Sequence, residues 1–220
     1  MYRDMDRYGK SPMEVHRSAD QTFYKPHQWK DPALVFTCSW SDWFIDLADE
    51  WRPEAFQVIR KTPHLTYQIL TKREDRVSDH LPEDWGDGYD NVWVGFSIEN
   101  QDYVNRMVYF SKFKAKVKFL SIEPMLGAVN LMLDGLFEGM LDWVILGGES
   151  GNDTGKWRYR PCHIEWIESV MNQCHKAGIP VFVKQLGTHL AKEMGLKDRH
   201  GGNIDEWPEW MRVRQMPTKA

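Results

Sequence analysis

From Ala33 onward, short apolar runs alternate with longer amphipathic ones, which is typical of repeated strand–helix units. Most of the short runs are apolar on both faces, as strands are in a parallel sheet covered by helices. The predicted strands are 34–38, 66–70, 92–97, 117–122, 143–148 and 181–185. Helices are predicted at 53–61, 102–114 and 163–177, where apolar residues recur at helical spacing.

Six strands joined by helices predict an α/β fold, a partial or incomplete TIM-type (β/α) barrel with parallel strands and outer helices. A doubly wound sheet is the alternative. The expected organisation is a lead-in over 1–32, a barrel core over 33–187, and a C-terminal extension over 188–220 that packs on the barrel.

Composition narrows the class of protein. The chain has 220 residues with a net charge of -4, which argues against an obligate nucleic-acid binder. No apolar run approaches the roughly 20 residues of a membrane helix, and no secretory signal opens the chain. We therefore expect a cytoplasmic protein without a membrane partner. The three cysteines, Cys38, Cys162 and Cys174, lack the close spacing of a zinc or cluster site.

All six predicted strands break from apolar to polar at their carboxyl ends, where the loops of an α/β fold open on one face. We expect a polar ligand or active site there. The candidate catalytic residues are Asp42, Glu99, Glu123, Glu149 and Lys184. The candidate ligand-binding residues are Ser39, Lys72, Arg73, Ser97, Asn100, Ser121, Gly147, Gly148, Ser150 and Gln185. Trp40 and Trp43 are expected to line the mouth.

These residue types indicate several chemistries. The carboxylates are suited to positioning a ligand, to general-base catalysis or to a divalent cation, although no specific metal site is predicted. Lys72, Arg73 and Lys184 are suited to anionic groups. The pair Gly147-Gly148 either exposes backbone amides to an anion or forms a plain tight turn.

The strand-end phrases together resemble a known family. FTCSWSDWF, TYQILTKRE, NVWVGFSIENQ, FLSIEPMLG, DWVILGGESG and VFVKQLG, in this order, are similar to the phage and prophage proteins of unknown function called three-cysteine-motif, radical-SAM-like proteins. The resemblance covers about residues 10–217. It implies a barrel that binds S-adenosylmethionine and a [4Fe–4S] cluster in the full-length form.

Relatives in that family begin with a cysteine cluster ending in C-x-x-C-Y, and MYRDMDRYGKSP resembles the segment that follows it. We therefore expect this chain to start downstream of the cluster loop, either through truncation or as a natural variant. No cofactor is assured for the chain as it stands, because its three cysteines do not have cluster spacing.

Three hypotheses for the function follow. The first is a radical-SAM-like phage protein that binds a small anionic or nucleotide-related ligand at the mouth of the barrel. The second is a cluster-independent, carboxylate- and magnesium-dependent lyase or hydrolase, with Lys184 as electrophile or acid. The third is a non-catalytic barrel that binds a partner protein encoded nearby.

Overall fold

The computed structural model describes residues 15–39, 41–156 and 158–217. Trp40, the first fourteen residues of the predicted lead-in and the last three of the predicted extension lie outside the described residues. Six parallel strands alternate with helices along the chain, which confirms the predicted α/β fold. The strands are β1 (Ala33–Phe36), β2 (Leu65–Thr71), β3 (Val92–Ser97), β4 (Val117–Ile122), β5 (Trp143–Gly147) and β6 (Val181–Gln185).

The helices predicted over 53–61 and 163–177 agree with the structure to within one residue at each end. The α-helices are α1 (Asp20–Phe23), α2 (Arg52–Arg60), α3 (Ile164–Ala177) and α4 (Gly187–Glu193). The 3₁₀ segments are Lys25–Gln28, Asp46–Ala48, Glu74–Arg76, Ser78–His80, Gln101–Lys112, Ile204–Glu206 and Glu209–Met211. No described helix has the length and apolar character that a membrane crossing requires.

The chain forms two compact units. The first unit comprises Met1–Gly95 and Lys112–Lys116, and the second comprises Phe96–Ser111 and Val117–Ala220. In the first, β1 pairs with β2 in parallel. In the second, β5 lies between β4 and β6, with a register shift where β5 ends at Leu146 and Gly147. Within each unit, the described pairings join strands that follow one another along the chain. The reversal of strand order at the centre of a doubly wound sheet is not seen among these pairings.

Strand β1 differs from its prediction. It ends at Phe36 and not at residue 38, because Cys38 adopts a left-handed φ of 51° and its carbonyl accepts a turn hydrogen bond from the Ser41 amide. The side chains of Leu34 and Phe36 are 52% and 51% exposed, so β1 is not buried on both faces. The other predicted strands agree with the structure to within one residue at each end.

The segment predicted as an α-helix over 102–114 is 3₁₀ over Gln101–Lys112. Its buried side chains are Val104, Met107 and Phe110, which recur every three residues. This spacing matches the 3.0 residues per turn of a 3₁₀-helix, in which positions i and i+3 lie on one face. The stacked rings of Phe96 and Phe110, 4.1 Å apart, hold that face in the core of the second unit.

The C-terminal tail runs along β6 within the second unit. The Val183 amide donates to the Val213 carbonyl and the Gln215 amide donates to the Val181 carbonyl, each at 2.8 Å. The Trp143 indole also donates to the Gln215 carbonyl at 2.8 Å. These bonds satisfy backbone groups of β6 that a sheet edge leaves unpaired.

In the first unit, Asp49 organises the loop between β1 and α2. Arg76 donates to both carboxylate oxygens of Asp49 at 2.8 and 2.7 Å, and the Arg52 guanidinium lies 2.7 Å from one of them. Arg52, which is buried, also donates to the carbonyls of Trp43 and Ile45. The hydrogen bonds from Arg76, followed by those from Arg52, lower the pKa of Asp49 to about 2.

The depressed pKa of Asp49 predicts a pH-dependent contribution to stability. Its stabilisation is present above the pKa of about 3.9 of an aspartate in the unfolded chain and is lost as the pH falls towards 2. Asp49→Asn is therefore expected to reduce the stability lost between pH 5 and pH 2.5, as measured by urea unfolding. Equal losses in the variant and the parent protein would contradict this assignment.

The end of α3 yields a second prediction. Gly178 has a φ of 67°, and the amides of Gly178 and Ile179 donate to the last carbonyls of the helix. Gly178→Ala is expected to lower the free energy of unfolding by about 1 kcal/mol, because a Cβ is strained at this φ. Gly135→Ala is the control, since its φ is not left-handed and its Cβ would meet nothing within 4 Å. A similar loss in both variants, measured by urea unfolding, would refute the explanation.

Candidate functional site

Asp42 is the buried carboxylate at the strand ends of the first unit. One oxygen accepts the Thr71 hydroxyl at 2.7 Å and the Phe44 amide at 2.9 Å. The other accepts the Lys72 amide at 2.9 Å and lies 3.4 Å from the Arg73 guanidinium. Asp42 therefore braces the loop after β1 against the loop after β2, while Ser39 is exposed in the first of these loops.

In the second unit, three successive strands deliver a glutamate that is mostly buried. The side chains of Glu99, Glu123 and Glu149 are 12%, 15% and 11% exposed. Buried carboxylates need a counter-charge and hydrogen-bond donors. Each has a cation: Arg106 at 3.7 Å, Lys184 at 2.9 Å and Arg160 at 2.7 Å, respectively.

Glu123 is linked to four other predicted residues. We call Glu123, Gly148, Ser150, Lys184 and Gln185 the Glu123 cluster. One Glu123 oxygen accepts from Lys184 Nζ at 2.9 Å and the other from Gln185 Nε2 at 3.0 Å. Gln185 Nε2 also donates to the Gly148 carbonyl at 3.1 Å, and its Oε1 accepts the Ser150 hydroxyl at 3.2 Å. The ends of β4, β5 and β6 are thereby joined through side chains.

The adjacent glycines serve close packing. A Cβ on Gly147 would lie 3.0 Å from the Glu123 carboxylate, and one on Gly148 would lie 2.1 Å from the Leu186 carbonyl oxygen. The Gly148 amide already donates to the Gln185 carbonyl at 3.1 Å. These contacts explain the two glycines without an anion bound to the Gly148 amide.

Glu149 is held by Arg160 through three hydrogen bonds. One oxygen accepts the Arg160 backbone amide at 2.7 Å and Nε at 2.9 Å, and the other accepts Nη2 at 2.7 Å. The Glu149 carboxylate raises the pKa of the Arg160 guanidinium. Arg160 was not among the predicted site residues, because it lies eleven positions after Glu149 and follows no strand.

The structure places the remaining predicted residues of the second unit, Ser97, Asn100 and Ser121, in local contacts or in the protein interior. Arg106 Nη1 donates to the Ser97 carbonyl at 2.6 Å, which places the guanidinium near Glu99. The Asn100 side chain accepts a backbone amide two residues on, at 3.1 Å, as in an Asx turn. The side chains of Ser97 and Ser121 are buried.

Backbone hydrogen bonds also lock the strand-end loops of the second unit to one another. In each bond the donor and the acceptor come from the ends of different strands or from the segments that follow them. They join the Leu126 amide to the Glu99 carbonyl, Met125 to Gly147, Gly148 to Gln185, and Thr188 to Glu149, at 2.7, 2.8, 3.1 and 2.9 Å. A frame joined by several such hydrogen bonds suits a preorganised binding surface.

Two cavities of the protein lie elsewhere. One, of about 690 Å³, is bounded by α3, the start of β6 at Val181 and the tail residues Trp210 and Met216. The other, of about 540 Å³, lies between α2 and residues 80–84 of the first unit. No predicted site residue lines either cavity. The paired charges at the strand ends, and not these cavities, therefore define the candidate site.

The cysteines do not fit an iron–sulfur cluster. Cys162 and Cys174 are buried, and burial raises the pKa of each of these two thiols to about 12, which disfavours the thiolate form. Cluster ligands are thiolates brought close together. Within the described parts of the chain, no three His, Cys, Asp or Glu side chains are grouped to hold a metal ion.

The chain was compared with known protein families. A family model described as "Protein of unknown function (DUF5131)" matches residues 2–214, a range that contains every candidate site residue of both units. No curated protein matches the chain. The description states no activity, so the chemistry of the site has to be argued from its residues.

The bracing role of Asp42 is testable. Asp42→Asn is expected to lower the free energy of unfolding by about 2 kcal/mol, because it removes a buried charge that accepts several hydrogen bonds. Asp46→Asn, in the same loop and exposed, is the control and is expected to change it by less than about 0.5 kcal/mol. Urea unfolding measures both, and an Asp42→Asn variant as stable as its control would exclude the bracing role.

Proposed function

The chain belongs to this family of proteins of unknown function, and we propose that it binds a small anionic or nucleotide-related ligand at the strand ends of the second unit. The observation that carries the proposal is a pair of exposed cations, each anchored on a mostly buried carboxylate. The side chains of Lys184 and Arg160 are 56% and 53% exposed, and they sit on Glu123 and Glu149.

Anchored cations of this kind suit anion binding for two reasons. The carboxylate holds the flexible cationic side chain in one place, so less conformational entropy is lost when a ligand binds. Hydrogen-bond donors also remain on both cations. The Lys184 ammonium has three N–H groups, and among the described residues Glu123 is its one hydrogen-bond partner. Arg160 uses Nε and Nη2 on Glu149, and Nη1 has no partner among the described residues.

We also propose the fold and the origin that the sequence resemblance implies. It includes a partial (β/α) barrel, a phage or prophage source, a cytoplasmic location and S-adenosylmethionine as one candidate ligand. The cluster chemistry of radical-SAM enzymes is not part of the proposal for this chain, because its cysteines do not fit a cluster.

One observation favours a second candidate, the binding of a partner protein through the first unit. Leu34 and Phe36, two positions apart on one face of β1, are each about half exposed, and contiguous exposed apolar side chains can mark a protein–protein interaction site. Light scattering on the parent protein and on a Leu34→Ser/Phe36→Ser variant tests whether these side chains mediate association. Equal masses would exclude a second copy of this chain as the partner bound through Leu34 and Phe36.

The ligand proposal predicts a loss of binding on substitution of Lys184. Calorimetric titration with AMP, S-adenosylmethionine and inorganic phosphate is expected to detect binding of at least one of these probes. Lys184→Met is expected to weaken that binding about tenfold or more, since a hydrogen bond to a charged group is lost. The control is Lys114→Met, because Lys114 is paired with Asp87 in the first unit.

Two results would count against the proposal. One is the failure of all three probes to bind the parent protein at millimolar concentration. The other is equal binding by the Lys184→Met and Lys114→Met variants, which would show that the anion is bound away from the Glu123 cluster.

A further inference from the structure

Resting on the proposed function, we infer that Gln185 is a positioning residue that sets the Glu123–Lys184 pair and does not itself contact the ligand. The sequence suggests a ligand contact for Gln185, because the residue follows Lys184 at the end of β6. Its hydrogen bonds assign it a different role.

The hydrogen-bonding capacity of Gln185 is largely used inside the protein. A carboxamide has two N–H donors and one carbonyl acceptor. The Nε2 group lies 3.0 Å from a Glu123 oxygen and 3.1 Å from the Gly148 carbonyl oxygen, two acceptors that take up both N–H bonds. The Oε1 atom accepts the Ser150 hydroxyl at 3.2 Å. Gln185 has no donor left for an anionic ligand.

The same bonds determine where the Glu123 carboxylate lies. One oxygen is held by Gln185 and the other by Lys184, so the orientation of the carboxylate depends on both donors. The carboxylate rests against Gly147, where a Cβ would lie only 3.0 Å from it. Without the Gln185 side chain, the carboxylate would still lie against Gly147 but would lose the N–H donor that restricts its rotation.

The position of Lys184 depends in turn on Glu123. More than half of the Lys184 side chain is exposed, so packing does not confine it. Among the described residues, Glu123 is the sole hydrogen-bond partner of its ammonium group. Any change that rotates the Glu123 carboxylate therefore releases Lys184, and Gln185 acts on the ligand-binding cation through Glu123.

A ligand-independent experiment tests this chain of contacts. The probe is an acetyl N-hydroxysuccinimide ester, which acylates a lysine amine once the amine is clear of its carboxylate, and mass spectrometry measures the rate at Lys184. Gln185→Met is expected to raise this rate about two- to fivefold, the range that corresponds to losing an exposed ion pair. Labelling of Lys114 in the same digest is the internal reference. Gln57→Met is the matched control, because it makes the same substitution at an exposed position of α2, away from the Glu123 cluster.

A double-mutant cycle separates positioning from a general structural effect. Glu123→Gln alone is expected to raise the Lys184 rate, and Glu123→Gln/Gln185→Met is expected to match it, because Gln185 acts through Glu123. The inference would be overturned if the increase in the Lys184 rate in the double variant equalled the product of the two single-variant increases. It would also be overturned if Gln185→Met had the same Lys184 rate as the parent protein. If Gln185→Met does not fold, Gln185→Asn replaces it, since the shorter amide loses the same contact.

The failures of the two proposals are distinguishable. Expected labelling rates together with unchanged AMP binding in Lys184→Met would leave the positioning role standing and remove the ligand site. Loss of binding in Lys184→Met together with parental labelling in Gln185→Met would do the reverse.

Discussion

The burial of ionised carboxylates at the ends of parallel strands is the constraint on which the candidate site depends. A carboxylate removed from water is costly unless cations and hydrogen-bond donors surround it. The protein meets this requirement with Arg106, Lys184 and Arg160, each beside one glutamate of the second unit. The cations of Glu123 and Glu149 remain more than half exposed, so the pairing that stabilises the carboxylates also presents positive groups to solvent.

Close packing of the strand-end loops follows from the same requirement. The Glu123 carboxylate lies against Gly147, where a Cβ would be only 3.0 Å from it. Gly148 and Gly187 approach so closely that a Cβ on either would lie under 3 Å from the backbone of the other loop. Four backbone hydrogen bonds between neighbouring loops then hold the glutamates at fixed positions. Steric room for the loops and satisfaction of the charges are therefore parts of a single arrangement.

The two units use their strand-end carboxylates differently. Asp42 accepts hydrogen bonds from backbone amides and a hydroxyl and pairs with Arg73, all within the first unit. These contacts hold its two loops together. Glu123 and Glu149 instead each accept hydrogen bonds from a cationic side chain that is exposed to solvent, Lys184 and Arg160 respectively. This difference in partners is why the ligand proposal rests on the second unit, although all of these residues follow strands.

Much of the fold was determined by the sequence itself. Local apolar runs predict every strand except β1 to within one residue at each end. Pro161 and Gly178 bracket α3 in the sequence. Both predictions succeed because strand and helix signals are carried by residues close together in the chain. The same pattern located the strand-end residues. Only the tertiary structure decided their partners: Lys184 meets Glu123 across 61 positions, Arg160 joins Glu149, and Gln185 turns inward. Such pairings depend on which loops become neighbours in space, and no periodicity along the chain encodes that proximity.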